Sequence, residues 1–189
     1  MRLFFALPLP ERPRGALAAA AKALCACGAD AKWVRPEAMH LTLAFLGEVP
    51  PARLDALRRS GGAAASDCPP FRLALRGLGA FPSWERPRVL WAGLSSGADE
   101  CRRLEAALRR ALLAEGFKLE DRPFEPHVTL ARLRAPRAAK ALAEAAAPWG
   151  APELWPEAER AEAFELVESR LRPEGPDYQT AARFPLGFS

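Results

Sequence analysis

The sequence predicts an α+β fold of two pseudo-symmetric lobes, each a mostly antiparallel sheet packed with helices, with an active-site cleft between them. Three observations lead there. The chain's 2 histidines lie in near-copies of one stretch, Met39-His40-Leu41-Thr42-Leu43-Ala44-Phe45-Leu46-Gly47 and Pro126-His127-Val128-Thr129-Leu130-Ala131-Arg132-Leu133. Both stretches read as strands, because side chains alternate faces with period two. Leu41 and Leu43 then bury while His40 and Thr42 face the other way, and Val128 and Leu130 repeat this against His127 and Thr129. The third observation is order: the elements leading to His40 recur before His127, and Leu3 precedes His40 by about the distance that Val89 precedes His127.

Taken in order, Arg2 to Leu7 is an apolar strand ending at Pro8. Pro10 to Cys27 is a helix with Pro13 in its first turn and an apolar stripe of Leu17, Ala20, Ala21 and Leu24. A partly extended link, Trp33 to Pro36, leads to the first histidine strand. A helix from Pro50 or Pro51 carries Leu54 and Leu57 and is weakened at its end by Gly61-Gly62. Phe71 to Arg76 is a half-exposed strand, Gly77 to Arg88 turn and loop, and Arg88 to Leu94 a second strand. The order then restarts. Asp99 to Leu113 is a helix with Cys101, Leu104, Leu108 and Leu112 on one face, ended by Gly116. A charged link precedes the second histidine strand. Pro136 to Ala147 is a helix, Pro148 to Glu159 a loop, and Phe164 to Leu171 a strand. After the turn Pro173-Glu174-Gly175-Pro176, Tyr178 to Leu186 closes a hairpin. The expected organisation is one domain over residues 1–189, with internal repeats 1–87 and 88–189 whose termini cross between lobes.

Composition narrows the function classes. A chain of 189 residues, 50% hydrophobic, has enough apolar material for a sizeable core. The net charge of +4 suits an anionic partner, yet no basic stripe or tail is present to grip long nucleic acid. A short or terminal nucleic-acid substrate stays open. No segment is long and apolar enough to span a membrane. The 4 cysteines, Cys25, Cys27, Cys68 and Cys101, form no disulfide framework or zinc pattern. The expectation is a cytoplasmic monomer with reduced thiols and no obligate protein partner.

The histidine pair carries the chemistry. Imidazole titrates near neutrality and serves as acid or base. Displacement at phosphorus puts attacking and leaving oxygens roughly in line, so an acid and a base must approach from opposite sides. The threonine hydroxyls can hold non-bridging oxygens between the rings. Neither tetrad has a regular Asp, Glu or Cys beside it, which argues against a metal site.

These residues resemble the two-histidine phosphoesterase superfamily, whose mark is paired histidine-x-threonine-x tetrads, and within it the bacterial and archaeal RNA 2′,3′-cyclic phosphodiesterases, also called 2′-5′ RNA ligases. The resemblance extends to Arg2-Leu3-Phe4-Phe5-Ala6-Leu7, Gly79-Ala80-Phe81-Pro82, Phe124-Glu125, Glu168-Ser169-Arg170-Leu171 and Gly175-Pro176-Asp177-Tyr178. It implies hydrolysis of an RNA or nucleotide 2′,3′-cyclic phosphate to a 2′-phosphomonoester without metal or cofactor, with weak reverse ligation. It makes His40 the proton donor and His127 the proton acceptor; the tetrads alone are symmetric on this point. Thr42 and Thr129 would bind the phosphate. Arg132 is a further phosphate candidate, although strict alternation places it opposite His127 unless a bulge re-aims it. Phe5 and Phe45, and more loosely Trp33, are candidates for stacking on a base, and Arg35 and Arg88 for tuning the cleft potential. Ser169 and Tyr178 read as structural. The motifs recognise phosphate rather than base, so a small nucleotide such as ADP-ribose cyclic phosphate is the alternative substrate. A non-catalytic RNA-end binder is the alternative class.

Overall fold

Alternating burial along the strands sets the layers. Leu3, Phe5 and Leu7 on one face of β1 (Arg2–Pro8) are buried in the main core, while Phe4 and Ala6 pack on the other face with Val167 and Tyr178. The first face is covered by helices; the second lines the site. The computed structural model describes residues 1–135, 138–172 and 175–187. After β1 come α1 (Glu11–Cys25), β2 (Ala31–Trp33), β3 (His40–Glu48), α2 (Leu54–Ser66), β4 (Phe71–Phe81), β5 (Val89–Ser96) and α3 (Ala98–Ala114). The rest comprises β6 (Val128–Leu133), α4 (Ala139–Ala146), β7 (Glu159–Ala161), β8 (Ala163–Arg172) and β9 (Gly175–Pro185). The expected α+β architecture is present.

The described strands form a continuous antiparallel path, β7-β4-β5-β6-β3-β1-β8-β9, with β2 also paired to β6. The path reads symmetrically about its centre. β6 matches β3, β5 matches β1, and β4 matches β8. The chain crosses over between the two sides: β4 joins β5 and β6, whereas β8 and β9 join β1 and β3. The crossing follows from local chemistry, because the short 82–88 connection makes β4 and β5 antiparallel neighbours.

The helices bury the faces that their periodicity predicts. α1 buries Leu17, Ala20, Ala21 and Leu24, and α3 buries Cys101, Leu104, Ala107, Leu108 and Leu112. Buried Cys101 has its thiol pKa pushed up to about 12 by desolvation, which makes it an inert apolar filler. All four cysteines are free thiols. None of the helices is long and apolar enough to cross a membrane, among the described residues.

Four sequence expectations need correction. β4 does not stop at Arg76 but runs to Phe81. Gly77 (φ +69°) supplies a bulge between Arg76 and Leu78, so it bends the strand instead of ending it. α2 does not weaken at Gly61-Gly62 but continues to Ser66. Gly61 lies under the Phe184 ring, where a Cβ would overlap ring atoms, and close packing holds a helix that propensity disfavours. The 148–159 loop contains two 3₁₀ turns, Ala147–Gly150 and Pro152–Leu154, and ends in β7. Trp155 fixes it by donating its indole N–H to the Trp149 carbonyl at 2.8 Å. α4 is shorter than expected; Pro136 and Arg137, like Pro173 and Glu174 of the expected turn, lie outside the described residues.

The two adjacent glycines should therefore separate by substitution. Gly61→Val should lose about 1–3 kcal/mol of unfolding free energy by overpacking against Phe184. Gly62, exposed and with open space around it, should gain about 1 kcal/mol as Gly62→Ala. Urea unfolding of the two variants checks this.

Candidate active site

β3 and β6 touch through a backbone pair at the centre of both tetrads, Leu41 opposite Val128. Antiparallel counting from that pair sets His40 toward Thr129 and Thr42 toward His127. The histidines are thus diagonal to each other, at a separation that a regular ladder makes roughly 7–8 Å. Each histidine position stands across the ladder from the other tetrad's threonine. Leu41, Leu43, Val128 and Leu130 hold this face outward, since each is 4% exposed or less on the core side. Full burial of such side chains contributes roughly 1.5–3 kcal/mol apiece, so a one-residue slip that exposed them is strongly resisted.

Each tetrad ends in a bulge. Along β3, Ala6 pairs with Thr42 but Phe5 with Ala44, so Leu43 is the extra residue. Along β6, Trp91 pairs with Thr129 but Leu90 with Ala131, so Leu130 is extra. Each bulge reverses the alternation beyond it. Phe45, paired with Phe4, and Arg132, paired with Val89, are thereby turned onto the histidine face. They occupy equivalent positions in the two strands, an aromatic on one side and a guanidinium on the other. The Arg132 charge reaches both His127 and Tyr178, depressing the proton affinity of each.

The rings are held alike. His40 donates Nδ1–H to the Ala38 carbonyl at 2.8 Å, and His127 donates Nδ1–H to the Glu125 carbonyl at 2.7 Å. A carbonyl only accepts, so the proton on Nδ1 is fixed and Nε2 is the working nitrogen of both rings. In the neutral form of His40, Thr42 donates its hydroxyl to Nε2 at 3.1 Å. Aromatic side chains wall both rings. Phe4 stacks on His40 at 4.8 Å and Tyr178 meets its edge at 5.4 Å. Phe81 and Trp91 meet His127 at 5.1 and 6.1 Å. Desolvation by these walls lowers both histidine pKa values, and the hydrogen bonds to Ala38 and Glu125 oppose it. Arg122 and Arg132 depress His127 further, against the Glu125 carboxylate. Burial raises the Tyr178 pKa, so its hydroxyl stays neutral.

His40, Thr42, His127, Thr129, Arg132 and Phe45 therefore share one face. Phe5 does not. It is fully buried, packed on Phe164 and Phe184, and Phe4 is the residue of that strand that meets the site. Trp33 is also on the wrong face: it pairs with Ala131 and packs on the core. Arg35 donates to the Pro176 carbonyl at 3.1 Å, tying down the segment before Tyr178. Arg88 is exposed at a strand edge. Tyr178, paired across from Ser169, is part of the wall around His40 and not merely structural. Phe4, Phe81 and Trp91 were missed in the sequence. For Phe4 the signal was present, since it alternates with fully apolar Leu3 and Phe5. Among the described residues, no three His, Cys, Asp or Glu side chains gather where they could hold a metal ion.

Comparison with known proteins defines the class. The LigT like Phosphoesterase family matches the chain twice, over residues 7–91 and 93–178, one match for each tetrad. The chain belongs to this family of two-histidine phosphoesterases, and the protein is an enzyme of the phosphoesterase class. It is 38% identical to an RNA 2′,3′-cyclic phosphodiesterase of Aeropyrum pernix, covering 88% of this chain and 92% of that one. A protein of the same name from Thermus thermophilus is 39% identical, covering 98% and 90%. Among solved structures, TT0787 of Thermus thermophilus superposes with a TM-score of 0.80 at 36% identity, covering 98% of each chain. E. coli LigT complexed with 3′-AMP superposes at 0.74 and 27% identity, covering 98% and 97%.

The depressed histidines give a signed stability prediction. Their folded pKa lies below the ordinary 6.5, so the unfolded chain binds more protons in between. Stability that is fully present above pH 6.5 should be lost as pH falls through the folded values. Urea unfolding at pH 7.5 and pH 5 should show a smaller loss for His40→Gln than for the natural sequence.

Proposed function

We propose that the enzyme hydrolyses RNA or nucleotide 2′,3′-cyclic phosphate ends to 2′-phosphomonoesters by paired-histidine acid–base catalysis, without a metal. The observation that carries this reading is the pairing of Leu41 with Val128, which sets the two histidine positions diagonally and each across the ladder from the other tetrad's threonine position. A phosphate between the rings would meet an acid on one side, a base on the other, and hydroxyl donors along both edges. The names of the Aeropyrum and Thermus relatives supply the RNA cyclic phosphate.

In the proposed reaction, His127 Nε2 takes a proton from water, whose oxygen attacks phosphorus. The bond from phosphorus to O3′ breaks, and His40 Nε2–H protonates O3′. Thr129, Thr42 and Arg132 stabilise the non-bridging oxygens. The electrostatics support this division of labour. Arg122 and Arg132 favour neutral His127, the form a base needs, whereas among the described residues no arginine depresses His40. Burial also works against the charged acid form of His40, but the bound phosphate anion offsets this by raising the ring's pKa. Protonation of Nε2 also releases the Thr42 hydroxyl to donate to the phosphate. Phe45, 42% exposed with Arg2 lying 5.2 Å over its ring, offers a shelf for the base. Ligation of 2′-5′ RNA ends is the same displacement with an RNA 5′-hydroxyl in place of water, the P–O3′ bond breaking and O3′ taking the proton as before.

Single-turnover assays on an oligonucleotide with a 2′,3′-cyclic phosphate end test the roles. His40→Ala and His127→Ala should each slow the chemical step by about 10²-fold or more. Thr129→Val should slow it about tenfold, the scale of one hydrogen bond to a charged group. Full activity in His127→Ala would overturn the mechanism. Binding without product would favour the RNA-end binder, and turnover confined to ADP-ribose cyclic phosphate would favour the small-nucleotide substrate. Because both free-enzyme pKa values are depressed, kcat/KM should peak on the acid side of 6.5. The corresponding kcat profile should lie at higher pH, where bound phosphate stabilises the imidazolium.

A further inference from the structure

The bulge at Leu130 has a second effect, one strand further out. β2 pairs with β6 so that Lys32 stands directly opposite Arg132. Residues paired across an antiparallel ladder point to the same face, so Lys32 joins Arg132 on the histidine side of the sheet. Their neighbours Ala31, Trp33, Ala131 and Leu133 lie against the core, which agrees with that direction. Both cations are exposed, and neither has an ion pair or side-chain hydrogen bond among the described residues. The acid nearest in sequence, Asp30, is held by Arg134 at 3.5 Å.

Like charges placed directly opposite each other destabilise a ladder. A lysine on an edge strand is common enough as a guard against unwanted pairing. A guard gains nothing from standing against a second cation, and any position facing a neutral residue would cost less. The arrangement is favourable when an anion sits between the two. Distance identifies the anion. Arg132 lies three residues beyond Thr129 with one absorbed by the bulge, so a strand rise of about 3.3 Å per residue places it roughly 7–10 Å from the threonine that faces the reacting phosphate. That is the scale of one nucleotide, and Lys32 extends the positive region outward by one further strand.

We propose that Lys32, together with Arg132, forms a second phosphate subsite that takes the 5′-phosphate of the nucleotide whose cyclic phosphate is being opened. This rests on the cyclic-phosphate reading of the histidine site. In that role Arg132 faces both phosphates, and Lys32 belongs to the outer one alone. The subsite would distinguish an RNA end, which always carries this phosphate as its internucleotide diester, from a nucleoside 2′,3′-cyclic phosphate, which does not.

The test is a ratio. Turnover of adenosine 2′,3′-cyclic phosphate is compared with that of its 5′-phosphorylated form, using the full chain at low salt. The natural sequence should prefer the 5′-phosphorylated substrate by about tenfold in kcat/KM, and the preference should shrink as salt is raised. Lys32→Gln should bring the ratio toward one, and Lys32→Glu should invert it. Lys140→Gln removes the same charge from α4 and should keep the natural ratio. A ratio near one in the natural sequence, or an unchanged ratio in both Lys32 variants, overturns the subsite and leaves the histidine mechanism standing. If neither of these substrates nor an oligonucleotide with a 2′,3′-cyclic phosphate end is turned over, the cyclic-phosphate reading fails and the subsite falls with it.

Discussion

The site depends on one contact between two strands, the pairing of Leu41 with Val128. It is the register point that turns two separate His-x-Thr strands into a single four-cornered arrangement. The tetrad's apolar members do the positioning. Leu41, Leu43, Val128 and Leu130 are anchored in the core, and side chains of period two leave the histidines and threonines no face but the other one. A slip of one residue in either strand would bury an imidazole and expose a leucine. The packing that stabilises the sheet and the geometry that arranges the chemistry are therefore one constraint.

Around that contact the two halves of the strand path are similar but not equal. Both rings are tied through Nδ1 to the carbonyl two residues earlier, and both are walled by aromatics. The charges differ. Arg122 and Arg132 act on His127, while His40 lies between Phe4 and Tyr178 with no arginine among the described residues acting on it. The two equivalent positions after the bulges carry Phe45 and Arg132. A pseudo-symmetric scaffold thus holds an asymmetric site, which is what a reaction with distinct attacking and leaving oxygens needs.

Much of this was legible in the sequence because it rests on local periodicity. The repeated tetrads, the helix stripes of α1 and α3, and the facing of His40 and His127 all follow from spacing alone. The failures share a cause, since each depends on cross-strand register or tertiary packing. Gly77 reads as a turn residue until its partner strand shows it to be a bulge. Gly61 reads as a helix breaker until Phe184 is seen above it. Phe5 and Phe45 look equivalent as candidates, but a bulge at Leu43 turns Phe45 to the site while Phe5 stays in the core. Strict alternation left Arg132 on the wrong face for the same reason, and only the pairing with Val89 shows the bulge that re-aims it. Lys32 carries no signal in the sequence, because its significance comes entirely from the residue opposite.

The central claim is that the two tetrads act on one phosphate, with the proton given to one defined oxygen and no metal taking part. The most direct measurement is product analysis on an RNA oligonucleotide with a 2′,3′-cyclic phosphate end, in the presence of a chelator, resolving 2′- from 3′-phosphate. The account predicts undiminished turnover and a 2′-phosphate product. Loss of activity in the chelator, restored by a divalent ion, or a product that is exclusively 3′-phosphate, would contradict it.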